Sequence, residues 1–206
     1  MTSVILRRTT IFGTPIALGT LAAIHPMMPG DNLGIWNLIH TLQIPLAALL
    51  GISVILLLRS NGSRIAHAAR LAVVPWVAFF AAYDGVAGLA TGALTGFTHE
   101  HPETSQTVTS AASAMTDALF LGAVLPLGAV LFALGVFGGA AVALQRTGVS
   151  VLAAVAIAIG GIVWTLVHPL IGAPAMLVFF AGAAIVELSA RAEARAPMTP
   201  AAEIAQ

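Results

Sequence analysis

The chain has 206 residues, of which 59% are hydrophobic and only 8% charged, and its formal net charge is zero. Soluble domains carry about 25% charged residues, so the composition excludes an ordinary soluble domain, and the lack of a basic tract excludes nucleic acid as a partner. All eight basic residues are arginine and cysteine is absent, which excludes covalent retinal or pyridoxal phosphate, disulfides, thiolate metal sites and covalently attached c-type haem.

A membrane-spanning helix needs about 20 mostly apolar residues. Six stretches are candidates: roughly Thr10–Met28, Leu33–Leu58, Leu71–Gly96, Ser110–Leu144, Val149–His168 and Ala175–Leu188, the last of them short and in need of help from the loop before it. The N-terminal segment has the charge-then-apolar order of a signal peptide, and "RRTTIF" is faintly like a twin-arginine signal. It is read here as the first membrane helix.

That helix runs into "IHPMMPG". Proline disfavours the α conformation in the residue before it, so the helix should stop near His25. Pro26 also pushes away the carbonyl of Ala22. Free carbonyls and the negative end of the helix dipole favour a cation there, either a protonated histidine or a metal. The plainer reading is a helix stop with an amphipathic residue at the headgroups.

The second span opens "IWNLIHTLQIP". Asn37, His40 and Gln43 are spaced by three and share one side of the helix. Such a stripe faces the bundle or a wet cavity rather than lipid, or else forms an interhelical hydrogen-bonded cluster. In the third span, Asp84, Gly88, Gly92 and Gly96 recur every four residues. The glycines form a flat face for close helix packing, and Asp84 shares that face. A bare carboxylate at this depth costs about 2.5–3.5 kcal/mol or more, so Asp84 needs a histidine, a metal or its own proton. Tyr83 beside it is either a hydrogen bonder to the site or an interface anchor.

The loop "THEHPETSQT" holds His99, Glu100, His101 and Glu103. It lacks the spacing of HExxH and reads as a solvated loop. Ser110, Ser113 and Asp117 open the fourth span at helical spacing, either lining a vestibule or forming a solvated, capped helix start. That span is too long for one simple crossing and should either kink at Pro126 or project from the membrane. The fifth ends in "VHPLIGAP", a second His-Pro stop at His168 that displaces the Thr165 carbonyl. Glu187 in the sixth span is expected to pair with an arginine such as Arg70 or Arg59, in a structural role. Residues 191–206 are expected to form a flexible cytoplasmic tail after a single transmembrane domain of residues 1–190.

The arginines set the topology. Arg7 and Arg8 precede the first span; Arg59, Arg64 and Arg70 surround the second turn; Arg146 lies in the fourth; Arg191 and Arg195 follow the last. With both termini cytoplasmic, all eight lie inside, as the positive-inside rule requires. His25, His40, His99, His101 and His168 then lie at or near the outer side, and His67 inside. At about 1.5 Å per residue, His25 sits roughly 25 Å from Arg8, His40 roughly 28 Å from Arg59, His168 roughly 33 Å from Arg146 and Asp84 roughly 21 Å from Arg70. Four helices thus bring polar residues toward one layer near the outer boundary. Asp117 reaches it only if its helix kinks.

The expected fold is an all-α, six-helix polytopic membrane bundle with both termini cytoplasmic. The expected site is His25, His40 and His168 as ligands of a zinc-like divalent metal or a b-type haem. Asp84 would be a further ligand, an orienting partner or a general base. This set resembles in kind the three histidines and aspartate of the seven-helix membrane zinc hydrolases, the ceramidase and adiponectin-receptor type. The resemblance implies water activation against a lipid-like substrate. The chain departs from that pattern in its six spans, its lack of an HxxxH pair and the absence of a serine placed beside the cluster. It also resembles membrane b-type cytochromes, in which histidines of different helices hold haem; His40 with His25 or His168 would do so here. Two other readings are a small proton-coupled transporter with Asp84 as the protonated group, and a non-catalytic accessory or scaffold subunit. Membrane lipid, other membrane subunits or further copies of the chain are the expected partners.

Overall fold

The computed structural model describes residues 2–118 and 120–195, and its regular elements there are all helical. Helix α1 covers residues 2–23 and contains one π segment at Thr9–Gly13. It is followed by α2 (Leu33–Leu57), α3 (Arg64–Glu100), α4 (Ser105–Asp117), α5 (Gly122–Gln145), α6 (Val151–His168) and α7 (Leu170–Ala190). Of these, α2, α3, α5, α6 and α7 are long and apolar enough to cross a membrane. The chain is an all-α, multi-pass membrane protein.

The expected first span lies on α1, which is not among those five helices. Pro26 stops α1 at Ala23 rather than Met28, so only residues 9–23 lie beyond the arginine pair. That apolar stretch falls short of roughly 20 residues, although α1 as a whole runs from Arg7 at the arginine end to the turn before His25 at the histidine end. The expected kink at Pro126 is also corrected. The chain breaks at Ala118, whose backbone is extended (φ −57°, ψ 131°), and Pro126 lies inside α5, directly after a π segment at Phe120–Val124.

Side-chain caps start the two helices that carry His40 and Asp84. Asn32 accepts from the Ile35 N–H at 3.0 Å to open α2, and Ser63 accepts from the Ala66 N–H at 3.2 Å to open α3. The second His-Pro step turns α6 into α7, with non-helical backbone at Val167 and Ile171.

Glycines set the helix pairing. Gly88, Gly92 and Gly96 of α3 abut His40, Asn37 and Leu33 of α2, an antiparallel register, so the stripe packs as its spacing predicts. Gly128, Gly135 and Gly139 of α5 meet Phe79, Ala72 and Ala69 of α3 in the same sense. Gly19 and Gly172 bring α1 against α7, through Met176 and Ala22. Between them lies an aromatic core of fully buried Trp76, Phe80, Phe137, Trp164 and Phe179, in which Phe80 stacks on Trp164 with ring centres 5.0 Å apart.

This register divides the molecule into an arginine end and a histidine end. At the arginine end Arg7 donates both terminal nitrogens to Glu187, so the expected arginine partner is present but is neither Arg70 nor Arg59. The reason is competition. Arg70 is engaged with the Leu58 and Asn61 carbonyls across the α2–α3 turn, whereas α1 lies along α7 and delivers Arg7 to Glu187. The pair also places the start of α1 and the end of α7 at the same end of the bundle. Glu187 is 3% exposed, and breaking a buried pair on one side strands a charge. Arg7→Ala is therefore expected to destabilise the protein by about 3 kcal/mol, read as a lower melting temperature in detergent. Adding Glu187→Gln should recover part of the loss. Helical backbone continues to Arg195, and the rest of the expected tail lies outside the described residues.

Candidate functional site

The site is built where α1 ends, α2 begins and α6 turns into α7. Three expected residues meet there as rings. The ring centres of His25 and His40 lie 5.0 Å apart, those of His25 and His168 5.7 Å, and those of His40 and His168 6.5 Å. All three pairs meet edge to face. Asp84 is 2% exposed and accepts from Nδ1 of His40 at 2.8 Å. All four expected site residues thus belong to one cluster.

Hydrogen bonding fixes two of the imidazoles. His25 donates from Nδ1 to the Pro26 carbonyl at 2.6 Å. His40 donates from Nδ1 to the Asp84 carboxylate. In a neutral ring, a proton held on Nδ1 leaves a lone pair on Nε2. Nε2 of His25, His40 and His168 is buried in each case, with no hydrogen-bond partner among the described residues. Such groups are rare in folded proteins and call for a physical reason. Among the described residues, however, no group of three or more histidine, aspartate or glutamate side chains is arranged to hold a metal ion.

Two tryptophans enclose the cluster, and sequence reasoning missed them. The signal was present as "WNLIH" at 36–40 and "WTLVH" at 164–168, each placing a tryptophan four residues before a histidine on the same helix face. The rings of Trp36 and His40 lie 4.6 Å apart, and those of Trp164 and His168 5.8 Å. The two helices run in opposite directions. Trp36 therefore lies about one turn toward the histidine end from His40, and Trp164 about one turn deeper than His168. The same phrase, inverted, covers the histidines from both sides. Trp36 also lies 5.2 Å from His25 and donates its indole N–H to the Gly88 carbonyl at 2.8 Å. Gly88 belongs to the π segment Gly85–Ala90, whose wider turn re-aims backbone carbonyls.

Gly88 decides how closely α3 approaches. A Cβ there would overlap the His40 ring, and one at Gly92 would overlap Asn37 and Trp36. Gly88→Val is accordingly expected to push α3 from α2 and destabilise the protein by about 1–3 kcal/mol. The check is thermal unfolding beside Gly85→Ala, a position with open space around it, which should melt close to the parent.

The other sequence candidates fall elsewhere. Asn37 is half-buried beside Gly92, and Gln43 is fully buried one turn inward from His40. Tyr83 is 36% exposed, which fits the anchor reading. His99, Glu100, His101 and Glu103 are exposed, and His101 faces Glu103 at 3.5 Å. Ser113 lines a shallow groove with Thr91, Thr95, Thr98 and Thr109, and Ser110 and Asp117 are exposed. His67 is exposed at the arginine end and donates to the Ser63 carbonyl.

No family model, no curated protein and no solved structure matches this chain.

Proposed function

We propose that the chain is a membrane metalloprotein that binds one transition-metal ion through His25, His40 and His168. The observation that carries this reading is three buried, unpartnered Nε2 atoms on three neighbouring rings, two of them with Nδ1 donating to an oxygen. Metal-bound histidines typically hold their second nitrogen in that way, which fixes the tautomer and raises the basicity of the ligating nitrogen. Asp84 then serves as the orienting partner of His40.

Spacing supports the same reading. Metal–nitrogen bonds of about 2.0–2.1 Å put ring centres roughly 3 Å from an ion and roughly 5 Å from each other. Two of the three pairs stand near that separation, and His40–His168 is wider at 6.5 Å. Loading would draw those two rings together. Haem fits less well, because a porphyrin held between His40 and His168 would occupy the place where the His25 ring lies.

Imidazole ligands without thiolate suit zinc, copper or nickel. Three protein ligands leave a position for water, which zinc activates for hydrolysis. A lipid-like substrate is the class that matches the setting. An apolar groove of about 280 Å³ lined by Pro15, Ile16, Gly19, Ala23, Ala173 and Leu177 follows the α1–α7 seam toward the histidine end. With the arginine end cytoplasmic by the positive-inside rule, the site faces the outer side of the membrane.

The test is metal uptake by purified protein incubated with zinc or cobalt(II) and then desalted. One ion per chain is expected, with none in the His25→Ala, His40→Ala, His168→Ala triple variant. A parent protein that retains no ion, or a triple variant that retains as much, would refute the proposal.

A further inference from the structure

The layer one turn beneath the histidines contains a second set of unsatisfied groups. Gln43 is 0% exposed, and neither its amide oxygen nor its amide nitrogen has a hydrogen-bond partner among the described residues. Trp164 is also 0% exposed, with its indole nitrogen unpartnered, and the second carboxylate oxygen of Asp84 is unpartnered as well. Gln43 lies three residues inward of His40 on α2, and Trp164 four residues inward of His168 on α6. At about 1.5 Å per residue these offsets are roughly 4.5 and 6 Å, so the two residues reach similar depth from opposite helix directions.

A primary amide carries two donors and an acceptor with two lone pairs. Burying it unpaired is expensive, and a membrane interior provides no relief from outside. Leucine or methionine fills the same volume without that cost. Polar groups retained at such a depth normally hold water, each molecule bonded to two to four partners. The indole N–H donates, the Gln43 amide both donates and accepts, and the free Asp84 oxygen accepts. These are complementary requirements, which water can meet and an apolar filler cannot.

We infer that the histidine layer continues inward as a hydrated polar layer in which Gln43 and Trp164 hold bound water. The inference rests on the unpaired groups and not on metal binding. Where the metal reading also holds, this water is the stock from which the ion draws its exchangeable ligand.

Water-to-protein magnetisation transfer in nitrogen-labelled protein, reconstituted in bilayers, tests this. Transfer to the Gln43 amide and the Trp164 indole is expected at mixing times comparable with those for the exposed Gln106 and Gln145. Gln43→Leu identifies the amide signal and should weaken transfer to Trp164 at least twofold. If that variant does not fold, the parent measurement alone decides, with the tryptophan signal assigned from Trp36→Phe and Trp76→Phe. No transfer to either side chain in the parent would overturn the inference, as would full transfer to Trp164 in a folded Gln43→Leu protein. A dry layer in a protein that takes up metal overturns this inference alone. A wet layer in a protein that takes up none overturns only the metal reading.

Discussion

Asp84→Asn is expected to weaken metal binding by about 10–100-fold, the usual cost of losing a partner that orients a ligand, while leaving the helical bundle assembled. His40 donates from Nδ1 to one carboxylate oxygen at 2.8 Å, and both residues are buried. The carboxylate holds the ring with Nε2 free and increases electron density on it. An asparagine keeps the volume and can still present a carbonyl oxygen, but without the charge. Competition against a chromophoric chelator measures the affinity, with circular dichroism as the check on folding. Affinity equal to that of the parent would mean that Asp84 does not set His40 for an ion.

His40→Ala should produce the largest loss of stability among single changes at the site. It removes the hydrogen-bond partner of a carboxylate that is 2% exposed. Leaving a buried charged acceptor without its donor costs about 3 kcal/mol or more, because its desolvation is no longer offset. The same change in an Asp84→Asn background should cost much less, since no charge is then stranded. Thermal unfolding of the metal-free proteins measures both. A single variant that melts with the parent would show that Asp84 is satisfied by something other than His40.

Much of this arrangement was legible in the sequence, for reasons that differ by residue. The four-residue spacing of Asp84, Gly88, Gly92 and Gly96 defines a helix face whatever the surroundings, and that face packs on α2 as expected. His-Pro steps end helices through local sterics, so both stops were foreseeable. Counting residues from the arginines brought His25, His40 and His168 to one layer because straight helices rise at a constant rate. The misses involve choices between distant partners. Glu187 had several arginines in prospect, and only the packing of α1 along α7 selects Arg7. The break at Ala118 carries no proline of its own. The π segment at Gly85–Ala90 depends on how α3 meets Trp36 and His40, not on a local signal. The paired "WNLIH" and "WTLVH" phrases were readable, but the enclosure they create needs opposed helix directions to be meaningful.

X-ray absorption at the metal edge of the cobalt- or zinc-loaded protein shows whether the three histidines hold one ion. Three nitrogen scatterers at about 2.0–2.1 Å with imidazole outer shells are expected, lost when His25, His40 and His168 are replaced together. An oxygen-only shell, or a spectrum that persists in the triple variant, would contradict three-histidine binding.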